Sequence, residues 1–169
     1  MMKRLTLFIS ILILGIFVSA CSNNMDAPSI GEDMELIVEE GKKKLDSVEE
    51  EITSLVKEFG SRLKKVSLLA PEKILIEEME ENYGGLVAPS LLERWLEDPE
   101  NAPGRLVSSP WPEEIQIESI EEIGEDRYEV MGQIIELTSN EEDKAITRPI
   151  KLTIEYTEEG WLITDVILD

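Results

Sequence analysis

The chain has 169 residues, 37 of them acidic against 16 basic, with no histidine, one cysteine and a net charge of −21. Such acidity disfavours a nucleic-acid binder, whose affinity comes from neutralising phosphates, and it repels anionic membrane surfaces and wall polymers. The missing histidine removes the commonest acid–base residue and metal ligand, a single cysteine allows no intrachain disulfide, and 42% apolar residues exclude a wholly disordered chain.

At the N-terminus, Lys3-Arg4 precedes sixteen uncharged, mostly apolar residues, Leu5 to Ala20, and then Cys21. A positive start, an apolar stretch and small residues at a cut site make a secretory leader. The stretch is short of the roughly 20 residues a spanning helix needs, and Ser22-Asn23-Asn24 follows without a basic stop. Val18-Ser19-Ala20-Cys21 resembles the lipobox of bacterial lipoproteins, which implies cleavage after Ala20 and a diacylglycerol on the Cys21 thiol. One acyl chain holds a protein marginally and two hold it stably. The expected location is the outer face of the cytoplasmic membrane, of Gram-positive type. Loss of residues 1–20 takes Lys3 and Arg4 from the 16 basic residues and no acid from the 37, so the net charge becomes −23.

Residues 21–30 read as a tether. Ser29 and Glu32 have capping-box spacing, and a long amphipathic helix is expected over 31–68, about 30 residues or 45 Å of it regular. Val38, Leu45, Ile52, Phe59 and Val66 recur every seven residues, with Met34, Val48 and Leu55 beside them and Gly41 and Arg62 interrupting. The seam fits either a coiled coil with another chain or the apolar stripe of a helix packed on its own domain. Its interruptions favour the second, and the oligomeric state stays open.

The remaining chain, 69–169, is expected to form one α+β domain. Pro71 starts a second helix that ends at Gly84-Gly85. Pro89 opens a third, short one carrying Leu91, Leu92, Trp95 and Leu96. Residues 98–113 hold four of the eight prolines, too many for a helix or a central strand. The period then becomes two: Ile115 and Ile117, then Tyr128 to Leu137, then Ile150, Leu152, Ile154 and Tyr156, then Trp161 to Leu168. Short turns between them predict a curved antiparallel meander of about four strands, with the helices on one face.

The strings Leu86-Val87-Ala88-Pro89-Ser90, Asp126-Arg127-Tyr128-Glu129-Val130 and Glu159-Gly160-Trp161-Leu162-Ile163-Thr164-Asp165-Val166 resemble the nuclear-transport-factor-2-like (cystatin-like cone) superfamily as found in bacterial lipoproteins. Ala102-Pro103-Gly104-Arg105 through Ser109-Pro110-Trp111-Pro112 is similar to a run in an uncharacterised Gram-positive lipoprotein group. The resemblance implies a helical layer over a bent sheet with a pocket between them, and no particular activity, because the superfold hosts enzymes, transport factors and assembly scaffolds.

No Gly-rich phosphate loop, Cys-x-x-Cys or nucleophile elbow is present. Asp143 in Glu141-Glu142-Asp143 reads as a solvated turn rather than a calcium loop. No cofactor, metal or catalytic centre is expected. Enzymes of the resembled superfold usually place an Asp, often with a Tyr or His, in the pocket, which points in this histidine-free chain to Tyr83, Tyr128, Tyr156, Asp165 and Glu136 as the inward-facing polar candidates. Arg105 and Trp111, on the proline-rich loop, combine the residue types that anchor interfaces on a rigid loop. The expected function is a lipid-anchored, extracytoplasmic, non-enzymatic binding or accessory module. Arg105, Trp111, Tyr83, Tyr128 and Asp165 are its candidate contacts, and an envelope protein or a small ligand its partner. An assembly role for the long helix and a small pocket enzyme are the alternatives.

Overall fold

The computed structural model describes residues 30–139 and 145–168. The leader, Cys21, Ser29 with the rest of the tether, and Asp143 lie outside the described residues. Three helices, α1 (Ile30–Arg62), α2 (Glu72–Tyr83) and α3 (Pro89–Glu97), precede four strands: β1 (Trp111–Gly124), β2 (Arg127–Leu137), β3 (Ile146–Thr157) and β4 (Gly160–Leu168). The strands form one antiparallel sheet in the order β1-β2-β3-β4. The fold is α+β, with the helices packed on an open meander.

Alternation decides which face of the sheet is covered. Tyr128, Val130, Gly132 and Ile134 on β2 and Ile150, Leu152 and Ile154 on β3 are buried, whereas Met131 and Leu137 are exposed. The opposite face carries two cross-strand ion pairs, Arg127–Glu155 at 3.0 Å and Lys151–Glu129 at 3.2 Å, while Arg148–Glu136 at 2.8 Å closes the covered face at the end of the sheet. Opposite charges on neighbouring strands hold a water-facing surface in register. Only β1 and β4 are edges, and the edge position of β1 explains why the strand starts at Trp111, upstream of the expected Ile115. Pro112 withholds an N–H, which an edge strand tolerates.

Helix α1 divides at its middle. Ile52, Leu55, Val56, Phe59 and Leu63 are buried, a stripe wider than a coiled-coil seam. Leu45, on the same seam, is 42% exposed. The carboxyl half therefore belongs to the domain's own core, while residues 42–51 leave most of their surface to water. The helix stops at Arg62 and tightens into a 3₁₀ turn at Leu63–Lys65, earlier than the expected boundary at 68. A Cβ on Gly60 would lie 2.7 Å from the Ile115 backbone nitrogen, so the helix meets β1 at a residue without a side chain.

Phe59, Tyr83 and Trp95, one from each helix, meet at ring-centroid distances of 5.2 to 6.3 Å. With Leu152, Ile154 and Ile163 they fill the space between helices and sheet where the resemblance implied a pocket. Tyr156 departs from its expected core phase: it is 58% exposed and rests on Trp161 at the β3–β4 hairpin, where its ring packs at 5.1 Å.

Candidate functional site

The open space lies at the edge of the sheet instead. A groove of about 700 Å³ runs between β4 and the third helix. Arg94, Trp95 and Glu97 of α3 form one wall, Asp98 and Glu100 extend it past the helix end, and residues 165–168 form the floor. Four consecutive strand residues line it. Successive side chains point to opposite faces, so a run of neighbours means that the groove opens on the strand's edge.

Local chain chemistry builds this edge. The segment 86–88 lies beside β4 in parallel: Ile163 donates its N–H to the Leu86 carbonyl at 3.0 Å, and Ala88 donates to the Ile163 carbonyl at 2.8 Å. Pro89 then opens α3 at the first helical position, where its missing N–H costs nothing. The chain lifts off the sheet as Pro89 turns it into the helix. From there on, α3 reaches β4 through Arg94, whose Nη2 donates to the Thr164 carbonyl at 3.3 Å and pairs with Asp165 Oδ1 at 3.0 Å.

Asp165 is thus the one candidate contact that lines this groove. Tyr83 is fully buried, and its hydroxyl donates to the Pro103 carbonyl. Burial first, and the charge of Glu78 second, push that hydroxyl far above the ordinary tyrosine range. It is out of a ligand's reach. Tyr128 is buried against Trp161, edge to face at 5.4 Å; burial, then the charges of Glu122, Asp126 and Glu49, raise its hydroxyl too. Glu136 keeps the inward phase, on the same face as Ile134, and is partly buried near the end of β2, where Arg148 holds its carboxylate at 2.8 Å.

The proline-rich loop splits its two candidates. Arg105 is zipped to the chain after the 3₁₀ turn, donating its N–H to the Val66 carbonyl at 2.8 Å and accepting from Leu68 at 3.0 Å. Its Nε is buried with no hydrogen-bond partner among the described residues. Leu69, Leu106 and Val107 are exposed on these two strands of loop. Trp111 turns elsewhere: its Nε1 donates to Glu113 Oε2 at 3.0 Å, while Lys64 holds Oε1 of the same carboxylate at 2.6 Å. The Lys64 bond and then the Trp111 bond keep Glu113 below its ordinary range, against a smaller rise from burial.

Arg94, Glu97, Asp98 and Glu100 escaped sequence reasoning. They read as ordinary solvated charges on a short helix and its exit, and only the return of β4 to their side makes them a wall. The groove's chemistry is lopsided. Arg94 is answered by Asp165, Asp98 accepts from Asn101 Nδ2 at 2.6 Å, and Glu97, Asp98 and Glu100 have no ion pair among the described residues. An unpaired acidic wall beside Leu91 and Val166 suits a ligand that carries positive charge and some apolar surface. Among the described residues no cluster fit to hold a metal is found, and no helix is long and apolar enough to cross a membrane. No family model, curated protein or solved structure matches the chain.

Proposed function

We propose that the chain is a lipid-anchored, extracytoplasmic binding module whose ligand seat is the groove between α3 and β4. The observation that carries this reading is the groove itself: a cleft of about 700 Å³ with one neutralised arginine, three carboxylates that have no ion pair among the described residues, and an open strand edge. The anchor rests on Lys3-Arg4, the apolar stretch and Val18-Ser19-Ala20-Cys21. A lipid on Cys21 would attach the body without help from its surface, whose charge repels anionic headgroups.

The test is binding of spermidine, a small cation with apolar segments, to the isotope-labelled full chain in detergent. Resonances of Trp95 and of residues 165–168 should shift at saturation. The shifts should vanish in the combined Glu97→Lys, Asp98→Lys, Glu100→Lys variant. Shifts spread evenly over the acidic surface would defeat the groove as the seat.

A second reading, self-association through α1, is favoured by Leu45, which exposes an apolar side chain on the seam that its own domain stops covering beyond Val48. The two readings are compatible, since the seam and the groove use different elements.

A further inference from the structure

We infer that the ligand of the α3–β4 groove is an extended polypeptide segment bearing lysine or arginine, added to β4 as a fifth strand. This rests on the proposal that the groove is the ligand seat, and it specifies what the seat is shaped for.

The fifth-strand lane is already half occupied by the chain itself. Residues 86–88 run parallel to β4 and satisfy the outward N–H and C=O of Ile163. Pro89 then diverts the chain into α3, and none of the described residues fills the lane beside 165–168. Among the described residues, the backbone of 165–168 is joined to β3 alone, through Thr153↔Asp165, Leu152↔Val166, Lys151↔Ile167 and Ile150↔Leu168. An edge of this kind is a template for another strand, and natural edges are blunted by a lysine, a proline or a bulge. Residues 165–168, Asp-Val-Ile-Leu, contain no lysine or proline, and the bulge on this strand is at Thr164, between Ile163 and Asp165, where it bounds the lane at its start. Four residues at about 3.3 Å each give a lane of roughly 13 Å, long enough to hydrogen-bond a short peptide.

Charge selects the occupant. Glu97, Asp98 and Glu100 stand beside the lane with no ion pair among the described residues, and Arg94 is already held by Asp165 and the Thr164 carbonyl. Main-chain bonds to the edge would supply affinity, and alternate side chains meeting the acidic wall would supply selectivity. A second acidic copy of this chain fits the lane poorly: its own charge of −21 opposes the wall.

The experiment uses the full chain extracted in detergent and four probes: an acetylated, amidated Lys-Val-Lys-Val-Lys peptide, its Glu-for-Lys counterpart, the lysine peptide N-methylated at alternate residues, and spermidine. The lysine peptide should slow amide exchange of the 164–168 segment by about tenfold or more, and the methylated and glutamate peptides should not. Glu97→Lys with Asp98→Lys should weaken the lysine peptide by about tenfold. If the methylated peptide binds equally well, or the lysine peptide binds without protecting 164–168, strand addition is wrong while the groove survives as a cation seat. Binding of spermidine without binding of the lysine peptide likewise rules out the added strand and keeps the cation seat. If neither spermidine nor the lysine peptide binds, the groove reading fails and the strand goes with it.

Discussion

Arg94 Nη2 and Asp165 Oδ1 lie 3.0 Å apart, and this pair ties α3 to β4 just beyond the point where residues 86–88 leave the strand. The same nitrogen reaches the Thr164 carbonyl at 3.3 Å. Both side chains are largely solvated, so the pair contributes position more than stability. Arg94→Met and Asp165→Asn should each lower the unfolding free energy by less than about 1 kcal/mol in urea titrations, with a coupling energy of about 0.2–1 kcal/mol in the double-mutant cycle. A larger coupling would mean that the groove closes in solution and dries the pair.

Tyr83→Phe removes the hydroxyl that satisfies the buried Pro103 carbonyl and should cost about 1–3 kcal/mol. The same hydroxyl sets an alkaline limit. Its folded value lies above the ordinary 10.0, so folding favours the protonated form. That contribution is whole below pH 10 and is lost as pH rises above it. Urea midpoints measured upward from pH 9 should fall for the wild type beyond pH 10, and fall less for Tyr83→Phe.

Glu113 works at the other end of the scale. Lys64 and Trp111 hold its carboxyl below the ordinary 4.5, so its contribution is present above that value and is lost as pH falls below it. The group is partly exposed to water, which screens the pair, and the effect is at most about 1 kcal/mol. Glu113→Gln should lower stability at pH 6 by that amount or less and change it little at pH 3.

Three substitutions on α1 test where the helix meets the body. Gly60→Ala gains about 1 kcal/mol in helix propensity, yet its Cβ would come within 2.7 Å of the Ile115 nitrogen. Overpacking costs about 1–3 kcal/mol, so a net loss is expected in chemical denaturation. Phe59→Ala should cost about 3–5 kcal/mol. Leu45→Ala, on the same seam but exposed, should cost less than about 0.5 kcal/mol. A large, concentration-dependent loss for Leu45→Ala would instead show that α1 pairs between chains.

What could be read in the sequence was what short-range periodicity writes. Tyr128 to Ile134 and Ile150 to Ile154 alternate because one sheet face is buried, and Ile52 to Leu63 repeat at helical spacing because one helix stripe is. Tyr156 continued the alternation but not the burial, because its hairpin end leaves the ring exposed. Tyr83 read as an inward-facing group open to a ligand, whereas a single backbone carbonyl from the proline-rich loop lets its ring close into the core. The groove could not be read at all. It depends on Leu86–Ala88 lying beside Ile163 and on Arg94 meeting a residue 71 positions later, and neither relation leaves a local pattern.

The most direct measurement is the mass of the N-terminal peptide of protein recovered from the membrane fraction of cells expressing the full chain. A peptide beginning at Cys21 and carrying a diacylglyceryl group is the predicted result, and it would place the groove outside the cell on a lipid tether. A peptide that retains residues 5–20 and an unmodified Cys21 thiol would contradict it.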